Sequence, residues 1–331
     1  MRRRPGWKTL IVWLVIVACL GALIWVASPG RLLDKLREIA PRYVVLGFGA
    51  TLVIFVLKGV RYFLLLGRRS GLRRTLGIAM VQSLVSQFVP MAAGDLGYVA
   101  MVRATGAGSL GYGLATLLLV RLVDLFVLWM MYMLSLIFLP LHLAAFRYPA
   151  IAIGVLLTVS VGVVAAVVFA VDRAAPRAER LLNWMGLMRW ALMRTAWKEL
   201  VEGARSLALA AKPGPLAIFL ALSLSVWLAA AIWNWLMWLA VGVTLGPAEI
   251  VFLTSVSYIL TVLPAAMGLG DMFIAGILVA FGVSTADAAA FSLCARALNT
   301  AYQFLSIPIL LLVMRGRWRA PTEVAQGPET A

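Results

Sequence analysis

Charged residues stand inside long apolar stretches of this chain, among them Asp95, Arg121, Asp124, Asp271 and Arg296. An ionised side chain in hydrocarbon is costly, so each is a candidate functional group. Two of the aspartates occupy matching settings. Asp95 lies in Pro90-Met91-Ala92-Ala93-Gly94-Asp95-Leu96-Gly97, and Asp271 closes Pro264-Ala265-Ala266-Met267-Gly268-Leu269-Gly270-Asp271. These residue types suit binding. A carboxylate accepts N–H groups at the start of a helix, and a guanidinium holds phosphate through its planar fork. Nucleophilic and metal chemistry are poorly served. His142 is the only histidine, so neither a zinc cluster nor a His-based triad is expected. Cys19 and Cys294 lie far apart in apolar runs and suggest no disulfide framework. No nucleotide-binding motif is visible, and no metal or other cofactor is expected.

Each candidate also has a plain structural role to weigh. For Asp95 and Asp271, capping a half-helix and touching a substrate weigh equally. Arg121 and Asp124 are three residues apart on one helical face, which favours an internal ion pair. Arg296 has Asp271, Asp287 or a lipid phosphate as options. Lys58 and Arg61 sit near the far end of a span. Snorkelling to the interface is the first expectation for them, with headgroup contact at the inner face as the second.

These residues need membrane-spanning elements to position them. The chain of 331 residues is 63% hydrophobic and only 13% charged. A soluble domain carries about a quarter charged residues. Its mean hydropathy of +1.00 fits a polytopic membrane protein. The net charge of +16 reads as topology signals and lipid-headgroup contacts in loops, not as nucleic-acid binding.

Apolar runs over 9–27, 42–66, 112–141, 148–171, 216–243 and 286–314 predict six spans. Two further apolar segments, 76–90 and 248–264, are short. Fifteen residues of helix cover roughly 22 Å, less than a ~30 Å hydrocarbon core. Each ends at a Pro/Gly/Asp stretch and is followed by a short return arm, 98–102 or 272–282. We therefore expect two re-entrant hairpins. With the N-terminus inside, this topology places 20 of the 29 Lys and Arg inside and five outside. That is a strong positive-inside bias, which full crossing of either short segment weakens.

The chain also repeats itself. Pro90 and Gly94 are spaced like Pro264 and Gly268, and Arg121 follows Pro90 at nearly the distance at which Arg296 follows Pro264. The first broken arm enters from inside and the second from outside. The expected fold is an all-α polytopic membrane protein with about six transmembrane helices and two opposed re-entrant hairpins in an inverted-topology repeat. Repeat one covers about 42–141 and repeat two about 214–314, within a single transmembrane domain over 1–317. A basic amphipathic cytoplasmic loop is expected over 172–213, where Leu181, Leu182, Trp184, Met185 and Met188 recur at helical spacing. A polar, disordered tail is expected over 318–331. The many tryptophans read as interface belt and packing. Transporters with such repeats place their sites near the midplane, at the repeat interface.

The run Gly94-Asp95, the run Arg121-Leu122-Val123-Asp124-Leu125, the pattern Pro264-x-x-x-Gly268-x-x-Asp271 and Arg296 resemble the lysylphosphatidylglycerol synthase transmembrane region family. The resemblance runs from about Leu46 to Met314, with Asp95 and Asp271 where that family often has Glu. It implies an integral inner-membrane protein that moves lipids between leaflets. The soluble aminoacyl-lipid synthase domain of the fused members is not expected after Met314. Pro90, Gly94, Asp95, Arg121, Asp124, Pro264, Gly268, Asp271 and Arg296 are the candidate substrate-binding residues, with Lys58 and Arg61 as headgroup contacts.

The expected function is that of a non-enzymatic lipid flippase with both termini cytoplasmic. A membrane-embedded lipid-modifying enzyme and a non-catalytic partner of a lipid synthase or glycosyltransferase are the alternatives. Expected partners are anionic or phosphate-bearing membrane lipids, with no nucleic acid.

Overall fold

Proline and glycine punctuate the apolar runs and set where helices start and stop. The computed structural model describes residues 18–66, 71–88, 93–106, 110–139, 171–190, 213–261 and 266–314, with isolated positions between 151 and 201. The described residues contain helices and no strand. We number the helices α1 (Ala18–Ala27), α2 (Pro29–Arg37), α3 (Pro41–Leu66), α4 (Leu72–Phe88), α5 (Ala93–Ala104) and α6 (Leu110–Phe138). There follow α7 (Val171–Trp184), α8 (Pro213–Ala240), α9 (Pro247–Thr261), α10 (Ala266–Ala280) and α11 (Thr285–Met314). Prolines open α2, α3, α8 and α9, where a missing N–H costs nothing.

Among the described residues, four helices are long and apolar enough to cross a membrane: α3, α6, α8 and α11. The chain is a multi-pass membrane protein. The expected span over 9–27 is described only as α1, and most of the one over 148–171 lies outside the described residues. So do the two turns that carry Pro90 and Pro264.

The short elements differ from expectation in one consistent way. α4 begins at Leu72, before the expected 76, and α5 and α10 reach back to Ala93 and Ala266. Gly94-Asp95 and Leu269 through Asp271 therefore lie within helices rather than in a turn, with Gly268 left-handed at φ +84° close to the start of α10. A carboxylate close to a helix start is favoured by the N–H groups and dipole there. Gly94 also lets α5 press onto α4: a Cβ at this position would stand 1.8 Å from the Ser86 hydroxyl and 2.7 Å from the Gln82 carbonyl oxygen.

Two groups of four helices, α3–α6 and α8–α11, share one continuous apolar core that includes Leu128, Tyr132, Phe252 and Leu278. Their most extensive contact is α3 against α8. The N–H of Ala40, just before α3, donates to the Ala240 carbonyl at the end of α8 (3.0 Å). Near the other end of α3, Arg61 reaches Ser223 in the first half of α8. The two helices therefore run antiparallel. The groups also exchange partners, with α4 packing on α11 and α9 on α6. Arg73, at the start of α4, donates to the carbonyls of Val313 (2.6 Å) and Leu312 (2.7 Å) at the end of α11, satisfying acceptors left open there. Tyr132 of α6 stacks on Phe252 of α9 at 5.5 Å.

α7 and a 3₁₀ turn over Leu187–Arg189 form the described part of the basic loop. Leu181, Trp184, Met185 and Trp190 are exposed there, as an amphipathic surface helix requires.

Candidate functional site

A charge buried in a membrane protein needs a partner within reach. Each group of helices meets that need in the same way. Arg121 lies eleven residues into α6, and Arg296 eleven residues into α11. At 1.5 Å per residue each stands about 16 Å along its helix, near half of a ~30 Å hydrocarbon core. Arg121 grips Asp95 of α5 through both carboxylate oxygens, Nη2 to Oδ1 at 2.5 Å and Nε to Oδ2 at 3.1 Å. Arg296 donates from Nε to Oδ2 of Asp271 on α10. Both bridges tie a short helix to the long helix that follows it.

Their surroundings differ. Asp271 also accepts the Gly268 N–H at 3.1 Å, so it has a capping role as well as an ion pair. Its own carbonyl accepts from Ser292 at 2.9 Å. Gly268 has φ +84°, a left-handed conformation that glycine adopts without a Cβ penalty. Asp95 receives its third hydrogen bond from Gln82 Nε2 at 3.1 Å, and Gln82 in turn accepts from Tyr62. The Arg121 and Asp95 side chains are 38% and 18% exposed, against 24% and 5% for Arg296 and Asp271. The first bridge is thus the more open of the two.

A third ion pair was not expected. Asp124 does not pair with Arg121 three residues away. It pairs with Arg61 of α3, Nη1 to Oδ1 at 2.5 Å and Nη2 to Oδ2 at 3.2 Å. Arg61 has not snorkelled to an interface and is 1% exposed. Three residues along a helix rotate the side-chain direction by about 60°. That turns Arg121 toward α5 and Asp124 toward α3 and α8. Ser223 accepts a further hydrogen bond from Arg61 at 3.1 Å, and the Trp227 indole donates to Asp124 Oδ1 at 3.0 Å.

Aromatic rings join the pairs into one network. Arg121 lies over the Tyr258 ring of α9, 5.6 Å from its centroid. Tyr258 meets Trp227 edge-on at 4.4 Å. Arg121 is thus touched by Asp95, near the start of α5, and by Tyr258, near the end of α9. One end of each of these two short helices meets the same guanidinium. Lys58, three residues before Arg61 on the same face of α3, is half-buried and lies within electrostatic reach of Arg61, Asp124, Arg121 and Asp95.

The expected residues therefore divide clearly. Asp95, Arg121, Gly94, Asp124, Lys58 and Arg61 come together with α8 and α9. Gly268, Asp271 and Arg296 form a second centre. Gln82, Tyr62, Ser223, Trp227 and Tyr258 complete the first centre and were not anticipated. The signal that marks Gln82 and Ser223 is a polar side chain in the middle of an apolar helix. Among the described residues no group of three or more His, Cys, Asp or Glu is placed to hold a metal.

The family model for the transmembrane region of lysylphosphatidylglycerol synthase matches residues 10–306. No curated protein and no solved structure matches the chain. The matched region covers α1 through α10, most of α11 and both charged centres, and it links the chain to membrane lipid biology. The chain belongs to the lysylphosphatidylglycerol synthase transmembrane region family.

Proposed function

We propose that this protein moves a polar-headgroup lipid between the leaflets of the inner membrane. Six spans and two opposed re-entrant hairpins form an inverted repeat with both termini cytoplasmic. The headgroup passes between the repeats while the acyl chains stay in lipid. The observation that carries this reading is the meeting of one end of α5 and one end of α9 at Arg121, with an equivalent Asp–Arg bridge in the other group. The antiparallel course of α3 and α8 and the exchange of α4 and α9 between groups support an inverted arrangement. Nested polar groups at mid-depth give a headgroup a route that avoids hydrocarbon.

In this mechanism the two bridges act as opposed latches. The carboxylates hold Arg121 and Arg296 when no lipid is present. An arriving phosphate competes for the guanidinium, and the loosened short helix swings away from its long neighbour. The more exposed Asp95–Arg121 bridge faces the entering headgroup, and Asp271–Arg296 closes the far side. Both latches are charge-assisted and bidentate or capped, so each holds until an anion replaces the carboxylate.

Reconstitution tests the function. The purified chain alone, in proteoliposomes with a headgroup-labelled lipid, is expected to make inner-leaflet label accessible to an impermeant quencher faster than in empty vesicles. Equal rates in the two preparations would overturn the transport reading.

A further inference from the structure

The two equivalent bridges use their carboxylates differently. In the first, each oxygen of Asp95 accepts a bond, Oδ1 from Arg121 and Gln82 and Oδ2 from Arg121. In the second, Oδ2 of Asp271 takes both bonds, from the Gly268 N–H and from Arg296 Nε. Among the described residues, Oδ1 of Asp271 accepts none, and that atom is not fully enclosed. Arg296 donates to them only through Nε, so both of its amino groups stay open.

Asp271 is 4% exposed, and among the described residues Arg296 is the charge that bears on it. The other titratable groups on the helices packed against α10 are engaged elsewhere. On α9, Glu249 accepts the Gly246 N–H, and Tyr258 lies against Trp227 and Arg121. On α11, Asp287 accepts from Ser284, the Cys294 thiol lies within electrostatic reach of Lys35, and Tyr302 donates to the Val44 carbonyl. The Asp271–Arg296 bridge is therefore an isolated neutral pair. A phosphate on the open amino groups of Arg296 adds one negative charge where net charge is costly. A carboxylate that loses its cation in an apolar interior is neutralised rather than left charged.

We propose that Oδ1 of Asp271 takes up one proton with each lipid phosphate that Arg296 binds, so that lipid and proton cross the membrane together. This deepens the lipid-transport reading above and rests on it for the lipid. The step balances. A proton from water bonds to Oδ1, the carboxylate becomes a carboxylic acid, and the phosphate takes over the guanidinium. Arg296 keeps its own proton throughout. No existing hydrogen bond has to break for the proton to arrive, because Oδ1 carries none. When the phosphate leaves, the proton returns to water and the guanidinium to Oδ2. The centre is neutral both empty and loaded, so a pH gradient drives lipid movement and a membrane potential does not.

The first test counts protons. Dihexanoyl phosphatidylglycerol is titrated into the full chain purified in detergent, by calorimetry at neutral pH in two buffers of different ionisation heat. Wild type is expected to take up about one proton per lipid bound. Asp271→Asn is expected to bind with no proton uptake, because its amide imitates the protonated acid, and Asp271→Glu to restore the uptake. Binding without uptake in wild type overturns the inference. So do uptake that persists in Asp271→Asn, loss of binding in that variant when it elutes as a folded species, and absence of binding to wild type.

The second test needs no variant. Wild-type proteoliposomes carry a trace of headgroup-labelled phosphatidylglycerol, read with an impermeant quencher. A gradient of one pH unit is expected to shift the leaflet ratio of the label about tenfold toward the alkaline side, the factor of one coupled proton. A potassium diffusion potential set with valinomycin is expected to leave the ratio unchanged. Translocation that ignores the pH gradient, or follows the potential, overturns proton coupling and leaves lipid transport standing. Proton uptake on binding with no translocation overturns the transport reading and leaves the proton site standing.

Discussion

Removing the Asp124 carboxylate tests whether the centre holds together as an electrostatic unit. Asp124 accepts two bonds from Arg61 and one from Trp227, and it is 4% exposed. In Asp124→Leu the Arg61 guanidinium keeps only Ser223 and becomes an uncompensated buried cation beside Lys58. Breaking one side of a buried pair costs about 3–5 kcal/mol. For a chain of this size that lowers the melting temperature by ~5–10 °C. Replacing both partners removes the stranded charge. Arg61→Met/Asp124→Leu is therefore expected to melt within ~1–2 kcal/mol of wild type, since apolar replacement of a whole buried pair is near neutral. The assay is thermal unfolding of purified protein in one detergent, with both single variants and the double variant forming a double-mutant cycle. The expected coupling is several kcal/mol. If the double variant melts as low as the sum of the two single losses, the coupling is absent and the network has no energetic reality.

Other substitutions probe the elements that carry the centre. Gly94→Ala drives a methyl into the Ser86 hydroxyl and the Gln82 carbonyl and parts α5 from α4; a loss of about 1–3 kcal/mol in melting experiments is expected. Gly97→Ala, in the interior of α5 with nothing within 4 Å of the new Cβ, is expected to gain about 0.5–1 kcal/mol in the same measurement. Gly268→Ala places a Cβ on a residue at φ +84°, and a loss of about 1–2 kcal/mol is expected. Arg73→Ala uncaps the last carbonyls of α11, so faster hydrogen exchange over residues 309–314 is expected, with little change at α6.

The extent to which the sequence predicts this arrangement follows from the range of each signal. Asp95 with Arg121 and Asp271 with Arg296 are equivalent pairs because each aspartate precedes its arginine by nearly the same distance, 26 and 25 residues. Such spacing is visible in one dimension, and so is the apolar length that separates α3, α6, α8 and α11 from the short helices. Pairing across helices is not visible. Asp124 stands three residues from Arg121, and local spacing favours that pair. The winning partner, Arg61, is 63 residues away on a helix that only the packing of α3 against α6 and α8 brings near. Arg61 looked free to snorkel because nothing in α3 itself is acidic. Trp227 reads as belt or packing for the same reason, and Tyr258 carries no signal at all: their role is set by which helix faces them. The helical state of Leu269 through Asp271 is hidden by Gly268, Gly270 and Asp271, residue types that are common in turns. The Asp271 carboxylate and its bonds to Gly268 and Arg296 favour the helix.

The most direct measurement is the translocation rate of Asp271→Ala/Arg296→Ala in proteoliposomes, set against wild type reconstituted at the same density. This pair lies in the second centre, and removing both partners leaves no stranded charge. Lipid movement by way of two opposed bridges predicts a fall to the rate of empty vesicles with the fold retained. Translocation at the wild-type rate would contradict it.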